Sequence, residues 1–586
     1  MAIASLDLES SELAAVLDRL VREDAIGQLL ERRGRMAELA TESGDVKLDW
    51  VDQVAWALGH PASIGDVEKL AASIRLRFTH VVWSGMGGSV QAVRTLKGID
   101  LFGPDGPLVH TLDTSDPAAL NRLLRELAPD GELASTLAHT VMVGVSMGMT
   151  SEEPITHLRW FEELLGAQGV DQPAAHMMVM TLPGSFLDQF AEERGALRVD
   201  VQLDGESHTP GRMSAPSTKV FLLPAALGLP GRLQEMLRRC QAETGLRPGM
   251  SQSERRTLVE TDPFVTLAAW LSVQIDHGRD MLVLDLPPRW APIAPWVEQV
   301  VEESLGKEER GLLVFHDQDM ASASAWPDRF CILRVDEGSG GELPDRPLAV
   351  LHLDSAPDLT SRAAACARSF SGWNLAVALV GYLQGITFAG QPAVEHYKSY
   401  ARQLRDADGA LPYPANDLAR TDSGRLELFS GAAPVPDLDG ERRDAGAVLA
   451  TVVRSLKRTG RLGYFDLTVN GESAGPLWDT AVQAGTKFGN RILERPTKVR
   501  SGPRDYHSTE QSETAGPPEL LSLRVLVRDP EPVAAGEYSG RFLHAQALGT
   551  LFAMRDAGRP VLLATVRRAD APAALVELLE EASAQL

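Results

Sequence analysis

The stretch VVWSGMGGSV (81–90) passes from a run of β-branched and aromatic residues into Gly85, Gly87, Gly88 and Ser89, and then into helix-like residues. Strand, glycine turn and helix in that order mark the first crossover of a parallel α/β sheet. Glycines at the turn let backbone amides approach a ligand closely, and the helix start behind them favours an anion. The runs LVHTLD (108–113), TVMVGVS (140–146) and HMMVMTLP (176–183) follow at helix-length intervals, so the spacing predicts a helix-wrapped parallel sheet over residues 61–240. A second series, MLVLDLPP (281–288), GLLVFHD (311–317), FCILRVDEG (330–338) and LAVLHLD (348–354), predicts a second lobe over 241–404.

Outside these lobes, residues 1–60 show helical spacing in LAAVLDRLV and WVDQVAWAL and predict an introductory helical segment without strands. Residues 405–586 predict a C-terminal α/β segment, with LLSLRVLVRD, RPVLLATV and a closing helix PAALVELLEEASAQL. PYPAND and LFSGAAPVPDLDG place the surface connection near 405–440. TKVFLLPAALGL and FVTLAAWLSVQI, apolar on nearly every face, read as buried helices.

At 586 residues the chain is too long for one core, and 44% hydrophobic with 23% charged residues is an ordinary globular balance. A net charge of -23 with scattered Lys and Arg repels nucleic acids and anionic membranes, so neither is an expected partner. MAIASLDLES lacks the basic start and apolar run of a secretory leader, and no later stretch is apolar enough to span a bilayer, so a cytoplasmic location is expected. Cys240, Cys331 and Cys366 fit neither a disulfide framework nor a zinc cluster, and are expected to be buried apolar filler. No metal or cofactor is expected. An anionic ligand would need local dipoles or cations to overcome the global field.

SMGMTSEE (146–153) supplies such a place: Ser146, Thr150 and Ser151 bring hydroxyls to the start of a predicted helix. Plain N-capping by Thr150 or Ser151, with Glu153 behind, accounts for the same residues. The glycine turn also matches half of a dinucleotide fingerprint, with Asp113 placed to hold a ribose, but Val90 stands where the third glycine belongs.

GMGGSV, LDTSDP (112–117) and SMGMTSEE resemble, in order and spacing, the sugar isomerase (SIS) domains of glucose-6-phosphate isomerases, particularly the isomerase half of bacterial transaldolase/glucose-6-phosphate isomerase fusions. TPGRMSAPSTKVFLLPAALGL (209–229) is similar to that family's glycine-arginine-serine segment, and WVEQVVEESLGKEERGLLV (296–314) to its catalytic-acid segment. QPAVEHYK (391–398), GPRDYHSTEQ (502–511) and AQALGTLFAMRDAGRPVL (545–562) extend the resemblance from about residue 45 to the C-terminus.

The resemblance implies two SIS-type lobes, a homodimer, and isomerisation between glucose 6-phosphate and fructose 6-phosphate through an enediolate. It gives Glu303 the role of base and places Arg212 near the developing enediolate. Lys398, with Gln391, would contact the ring oxygen or hydroxyls, and His507 would be the ring-opening acid. Gly87, Gly88, Ser89, Ser146, Thr150 and Ser151 would bind the substrate. Read alone, Glu302, Glu303, Glu308 and Glu309 are a solvated acidic helix end, Arg212 a surface ion pair, Lys398 a helix-face lysine, and His507 a loop histidine bonded to backbone. Met147, Gly148 and Met149 replace the family's lysine, hydroxyl residue and glycine, while Asn374 and Gly390 replace acids. Glu510 and Glu513 follow His507 where the family carries no acids. These departures motivate an alternative: an SIS protein that binds a sugar phosphate without isomerising it, or with another specificity.

Overall fold

The computed structural model describes all residues except 338–344, 354–355, 414–418, 432–442 and 472. His80–Gly85, Leu108–Leu112, Thr140–Val145, Met177–Thr181 and Leu197–Asp200 form an all-parallel sheet, with Leu108–Leu112 at one edge and Leu197–Asp200 at the other. Thr140–Val145 and Met177–Thr181 are buried along their whole length, which is why they read as unbroken apolar runs and not as alternation. Pro61–Arg77, Gly88–Gly98, Pro117–Leu127 and Glu153–Ala167 are among the helices between its strands or beside it.

Met281–Asp285, Leu313–Phe315, Phe330–Asp336 and Leu348–His352 form the second parallel set as expected, while Gly338 and Asp354 of the quoted runs lie outside the described residues. Ala2–Leu6 joins this sheet antiparallel to Leu348–His352, and Thr41–Glu42 pairs with Asp45–Val46. Residues 1–60 are therefore not purely helical, which corrects the expectation. AIASL is a short edge strand, mostly exposed, so it carries neither an apolar run nor a clean period.

Residues 405–586 contribute a sheet of their own, with seven strands ordered Arg443–Asp444, Ala419–Arg420, Leu426–Ser430, Val561–Val566, Leu520–Val527, Tyr464–Asn470 and Thr497–Gly502. The last four are mutually parallel, and Leu426–Ser430 runs antiparallel to Val561–Val566. One face buries Leu449, Leu467, Leu523 and Leu575. Tyr464, Leu520 and Leu563 pack with Met281 and Phe315, which fuses this sheet to the second one. The expected surface connection falls largely outside the described residues, from Pro414 in PYPAND and from Ala432 in LFSGAAPVPDLDG.

The two all-apolar segments are helices, Lys219–Gly228 and Pro263–Asp276, and are buried over most of their surface. All three cysteines are buried and free. Among the described residues no helix is long and apolar enough to cross a membrane.

Candidate active site

A cavity of ≈ 360 Å³ opens where the first parallel sheet meets the helix Ala294–Leu305, the start of Pro392–Asp406 and the turn after Thr497–Gly502. Gly88, Ser89, Ser146, Thr150, Ser151, Arg212, Glu303, Gln391, Lys398 and His507 all line it. Gly87 lies beneath, with φ of 52°, and a Cβ there would sit 2.6 Å from Gln299 Nε2 and 3.0 Å from the His507 carbonyl. The residues to which the resemblance gives catalytic or binding roles therefore converge on one place, across 420 positions from Gly87 to His507.

One end is built to take an anion. Ser146 Oγ donates to the Gly148 carbonyl at 3.0 Å and accepts from Gly148 N–H at 3.1 Å, which curls the chain after its strand. The helix Glu153–Ala167 begins without any side-chain cap bond, and its N-cap residue is Glu152. Thr150 and Ser151 are thus not caps, contrary to that reading, and they line the cavity instead. Gly88 and Ser89 open a second helix on the same wall, so two helix starts bring partial positive charge to it. Lys47 and Lys398 add full charges, with Glu42 and Glu395 also on the lining. Lys398 Nζ pairs with Glu395 at 3.0 Å.

Across the cavity, Glu303 is 3% exposed and Glu302 is 0% exposed, while Glu308 and Glu309 face solvent. The acidic run is consequently not one solvated helix end. Four-residue spacing puts Gln299 and Glu303 on one stripe and Glu298 and Glu302 on the next. Glu298 and Glu302 receive Lys498, and Glu302 also accepts from Val314 N–H at 2.7 Å. Glu303 Oε1 accepts from Arg212 Nη1 at 3.0 Å and Oε2 from Gln299 Nε2 at 2.9 Å.

Arg212 is 3% exposed and uses its whole fork, donating also to Ser304 Oγ at 2.7 Å and to the Phe388 carbonyl at 2.7 Å. Its backbone carbonyl accepts from Trp296 Nε1 at 2.9 Å. This is a fixed, buried guanidinium and not a surface ion pair. Asn374, at a departure from the family pattern, donates to the Ala215 carbonyl at 3.0 Å and so anchors the same segment. Lys307 donates to the carbonyls of Ser304, Thr387 and Ala389, and burial together with the nearby Arg212 charge pushes its ammonium down to about 7.

His507 is not bonded to backbone through its ring. Its Nε2 meets Glu153 Oε1 at 2.7 Å, and Gln546 Nε2 donates to the same oxygen at 2.8 Å. Ser115 Oγ in turn holds Gln546 Oε1 at 2.6 Å. Glu153 is the partner of His507 that the sequence reading missed, because a glutamate at a helix start reads as a capping acid. Burial pushes its carboxyl up, but the His507 charge and hydrogen bond outweigh this and hold it at about 2.

The sign of that shift makes a prediction. A depressed carboxyl stabilises the fold fully above its ordinary 4.5, and that stabilisation drains away as pH falls toward 2. The wild type is expected to lose about 3 kcal/mol more than Glu153→Gln between pH 6 and pH 2. Denaturant melts at stepped pH measure this, and parallel pH profiles for the two proteins would contradict it.

The acids that follow His507 point elsewhere. Glu510 and Glu513 are 0% and 2% exposed and meet Arg524 at 3.2 Å and 2.6 Å, with Arg500 also on Glu513. They leave the cavity's anion end undisturbed. Asp113 is likewise engaged, by Arg94 at 2.8 Å, and does not stand ready to hold a ribose. Glu303, Arg212, Lys398 and His507 all come from one chain, so none of these four needs a second subunit to reach the cavity.

The arrangement offers a buried carboxylate facing a fixed guanidinium, a histidine held by a second carboxylate, and an anion end. Such a set can move a proton between adjacent carbons and stabilise the oxyanion that forms.

No family model matches the chain. A glucose-6-phosphate isomerase from Synechococcus sp. (strain JA-3-3Ab) is 32% identical over 266 residues, covering 43% of this chain and 45% of the relative. A probable glucose-6-phosphate isomerase from Haloquadratum walsbyi is 26% identical over 234 residues, covering 40% of this chain and 49% of the relative. The chain thus spans less than half the length of the curated relatives it matches. Among solved structures, a glucose-6-phosphate isomerase from Chlamydia trachomatis superposes with a TM-score of 0.53 at 16% identity, covering 68% of this chain and 87% of that one. A hypothetical protein from Thermus thermophilus superposes at 0.52 and 20% identity, covering 69% of this chain and all of its own. The motif resemblance therefore has named counterparts in sequence, and the α/β architecture has counterparts among solved folds.

Proposed function

We propose that this chain is an aldose-ketose isomerase that interconverts glucose 6-phosphate and fructose 6-phosphate through an enediolate. The observation that carries the reading is the single cavity holding Glu303, Arg212, Lys398 and His507 opposite a hydroxyl-lined helix start. The sugar's phosphate sits against Ser146, Thr150, Ser151 and the start of Gly88–Gly98. His507, held by Glu153, exchanges a proton with the ring oxygen while Lys398 contacts the sugar, and the ring opens. Glu303 then takes the proton from C2 of the aldose and returns it to C1, while the hydroxyl proton on O2 passes to O1, giving the ketose. Arg212 faces the negative charge that builds on the enediolate oxygens, where a fixed buried cation lowers the barrier.

A coupled assay on purified protein with fructose 6-phosphate tests this directly, and a panel of other ketose phosphates fixes the sugar. Ser146→Ala is expected to raise KM by about 10- to 100-fold with little change in kcat, because a hydrogen bond to a charged group contributes roughly 1.5–3 kcal/mol. An unchanged KM would take Ser146 out of the anion end.

One observation favours a second reading. Met147 lines the cavity where the family's loop carries lysine, which leaves that loop with less positive charge. A protein that binds a sugar phosphate without turning it over would fit this. Calorimetry showing sugar-phosphate binding, together with no detectable isomerisation, would select it over the first. In either reading the protein is cytoplasmic, works without nucleic acid or membrane, and forms a homodimer, so light scattering should give twice 63.3 kDa. A monomer mass would discard the dimer.

A further inference from the structure

One cation beside the candidate active site has no part in the mechanism above. Lys307 follows the helix Ala294–Leu305, four residues after Glu303, yet it is not among the residues that line the cavity. Its role, if it has one in the reaction, must therefore run through another residue. A protonated lysine has three N–H donors, and three backbone carbonyls take them here: Ser304 at 3.0 Å, Thr387 at 2.6 Å and Ala389 at 2.7 Å. Its whole donor capacity is spent on tying two stretches of backbone together.

Those two stretches are the ones that hold Arg212. Phe388, between Thr387 and Ala389, gives its carbonyl to Arg212 Nη2 at 2.7 Å. Ser304 takes Arg212 Nε on its hydroxyl at 2.7 Å and Lys307 on its carbonyl. Two cations thus grip the same backbone, with Arg212 on the cavity lining and Lys307 off it. On its amide side the 387–389 segment is tied through the Phe388 N–H to the Leu39 carbonyl at 2.9 Å. The helix that follows, Pro392–Asp406, is fixed separately, since Gln511 Oε1 accepts from the Ala393 N–H at 3.0 Å. Gln391 and Lys398, which flank that bond, are therefore not anchored by Lys307 alone.

We infer that Lys307 is a positioning residue of the isomerisation, holding Ser304 and the Phe388 carbonyl where they aim the Arg212 fork at Glu303 and the enediolate. The inference rests on the isomerase reading above. Without the ammonium, three carbonyls lose their donor, and the 387–389 segment is left to its amide bonds. A shift of about 1 Å there carries Arg212 Nη2 with it, and a misplacement of that size can cost about 10²-fold in rate. Arg212 faces charge that builds only on the way to the enediolate, so the loss falls on kcat. Ser146, Thr150 and Ser151 stand on the turn after the strand Thr140–Val145, which Lys307 does not touch, so KM is spared.

Kinetics of Lys307→Ala on fructose 6-phosphate test this, run below the value of about 7 to which burial and the Arg212 charge push the ammonium, so that wild-type Nζ carries all three protons. kcat is expected to fall by about 30- to 100-fold while KM stays within about twofold of wild type. Methylammonium brings three donors back to the same place and should restore part of kcat. Tetramethylammonium, charged but without a donor, should not. Lys307→Arg keeps the charge, so it should fold, but a planar fork cannot point at three converging carbonyls and kcat should still fall about tenfold. Wild-type kcat in either folded variant, a rise in KM that matches the fall in kcat, or equal kcat with the two ammonium ions would each overturn the inference. A wild type without turnover would sink the isomerase reading and this inference together, a result distinct from full turnover in the variants.

Discussion

Glu303→Gln is expected to lower kcat for fructose 6-phosphate isomerisation by about 10³-fold, within the range that a positioned acid-base group contributes. The reason lies in position more than in residue type. Glu303 is the carboxylate of the helix Ala294–Leu305 that both lines the cavity and faces Arg212 at 3.0 Å. Glutamine keeps an oxygen for Arg212 Nη1 but removes the charge, leaving a guanidinium buried without its counter-charge. That loss destabilises the fold by roughly 3 kcal/mol, so the thermal midpoint should fall while the far-ultraviolet spectrum stays native. The neighbouring acid provides the contrast. Glu302 lies one residue earlier, on the stripe that meets Lys498, so Glu302→Gln should weaken the fold without an equal loss of kcat. Equal kcat in wild type and folded Glu303→Gln would remove Glu303 from the mechanism.

The pair Glu302 and Glu303 also marks how far the sequence could be read. Helical periodicity separates their faces, but only the fold decides which face meets Arg212, a contact 91 positions away. Strands such as Thr140–Val145 were legible because burial on both faces leaves an unbroken apolar run. Edge strands such as Ala2–Leu6 and Leu197–Asp200 were not, since their partial exposure erases the run and their pairing partners are remote or unmarked. Glycines and hydroxyls at the ends of strands were legible because the turn geometry is local. Glu153 was read only as the acid behind a cap because its partner His507 lies 354 positions onward. Glu510 and Glu513 looked hostile to an anion because Arg524, which neutralises them, lies close in sequence but is turned onto them only by its place in the strand Leu520–Val527. Lys47 and Glu42 carried no signal at all, sitting in a short hairpin that reaches the cavity through tertiary packing alone.

Gly88→Ala tests the glycine turn that opened the fold, and it is expected to lower kcat by about 10²-fold or more, the loss that a misplacement of about 1 Å can bring. A Cβ at Gly88 would stand 2.3 Å from the Gly211 carbonyl oxygen, 2.7 Å from its carbon and 2.9 Å from Arg212 Cα. All three are backbone atoms, so no side chain can swing aside. The segment that must retreat is also pinned, by Trp296 on the Arg212 carbonyl and by Asn374 on the Ala215 carbonyl. Moving it drags the Arg212 fork off Glu303, Ser304 and Phe388, whose contacts of 2.7–3.0 Å have no slack. The overpacking itself should destabilise the fold by about 1–3 kcal/mol. Gly166, exposed on the helix Glu153–Ala167 with nothing within 4 Å of a Cβ, makes the matched control. Gly166→Ala should raise stability by about 0.5–1 kcal/mol and leave kcat unchanged. If Gly88→Ala folds and turns over at the wild-type rate, the close approach of the two turns does not hold Arg212 in place.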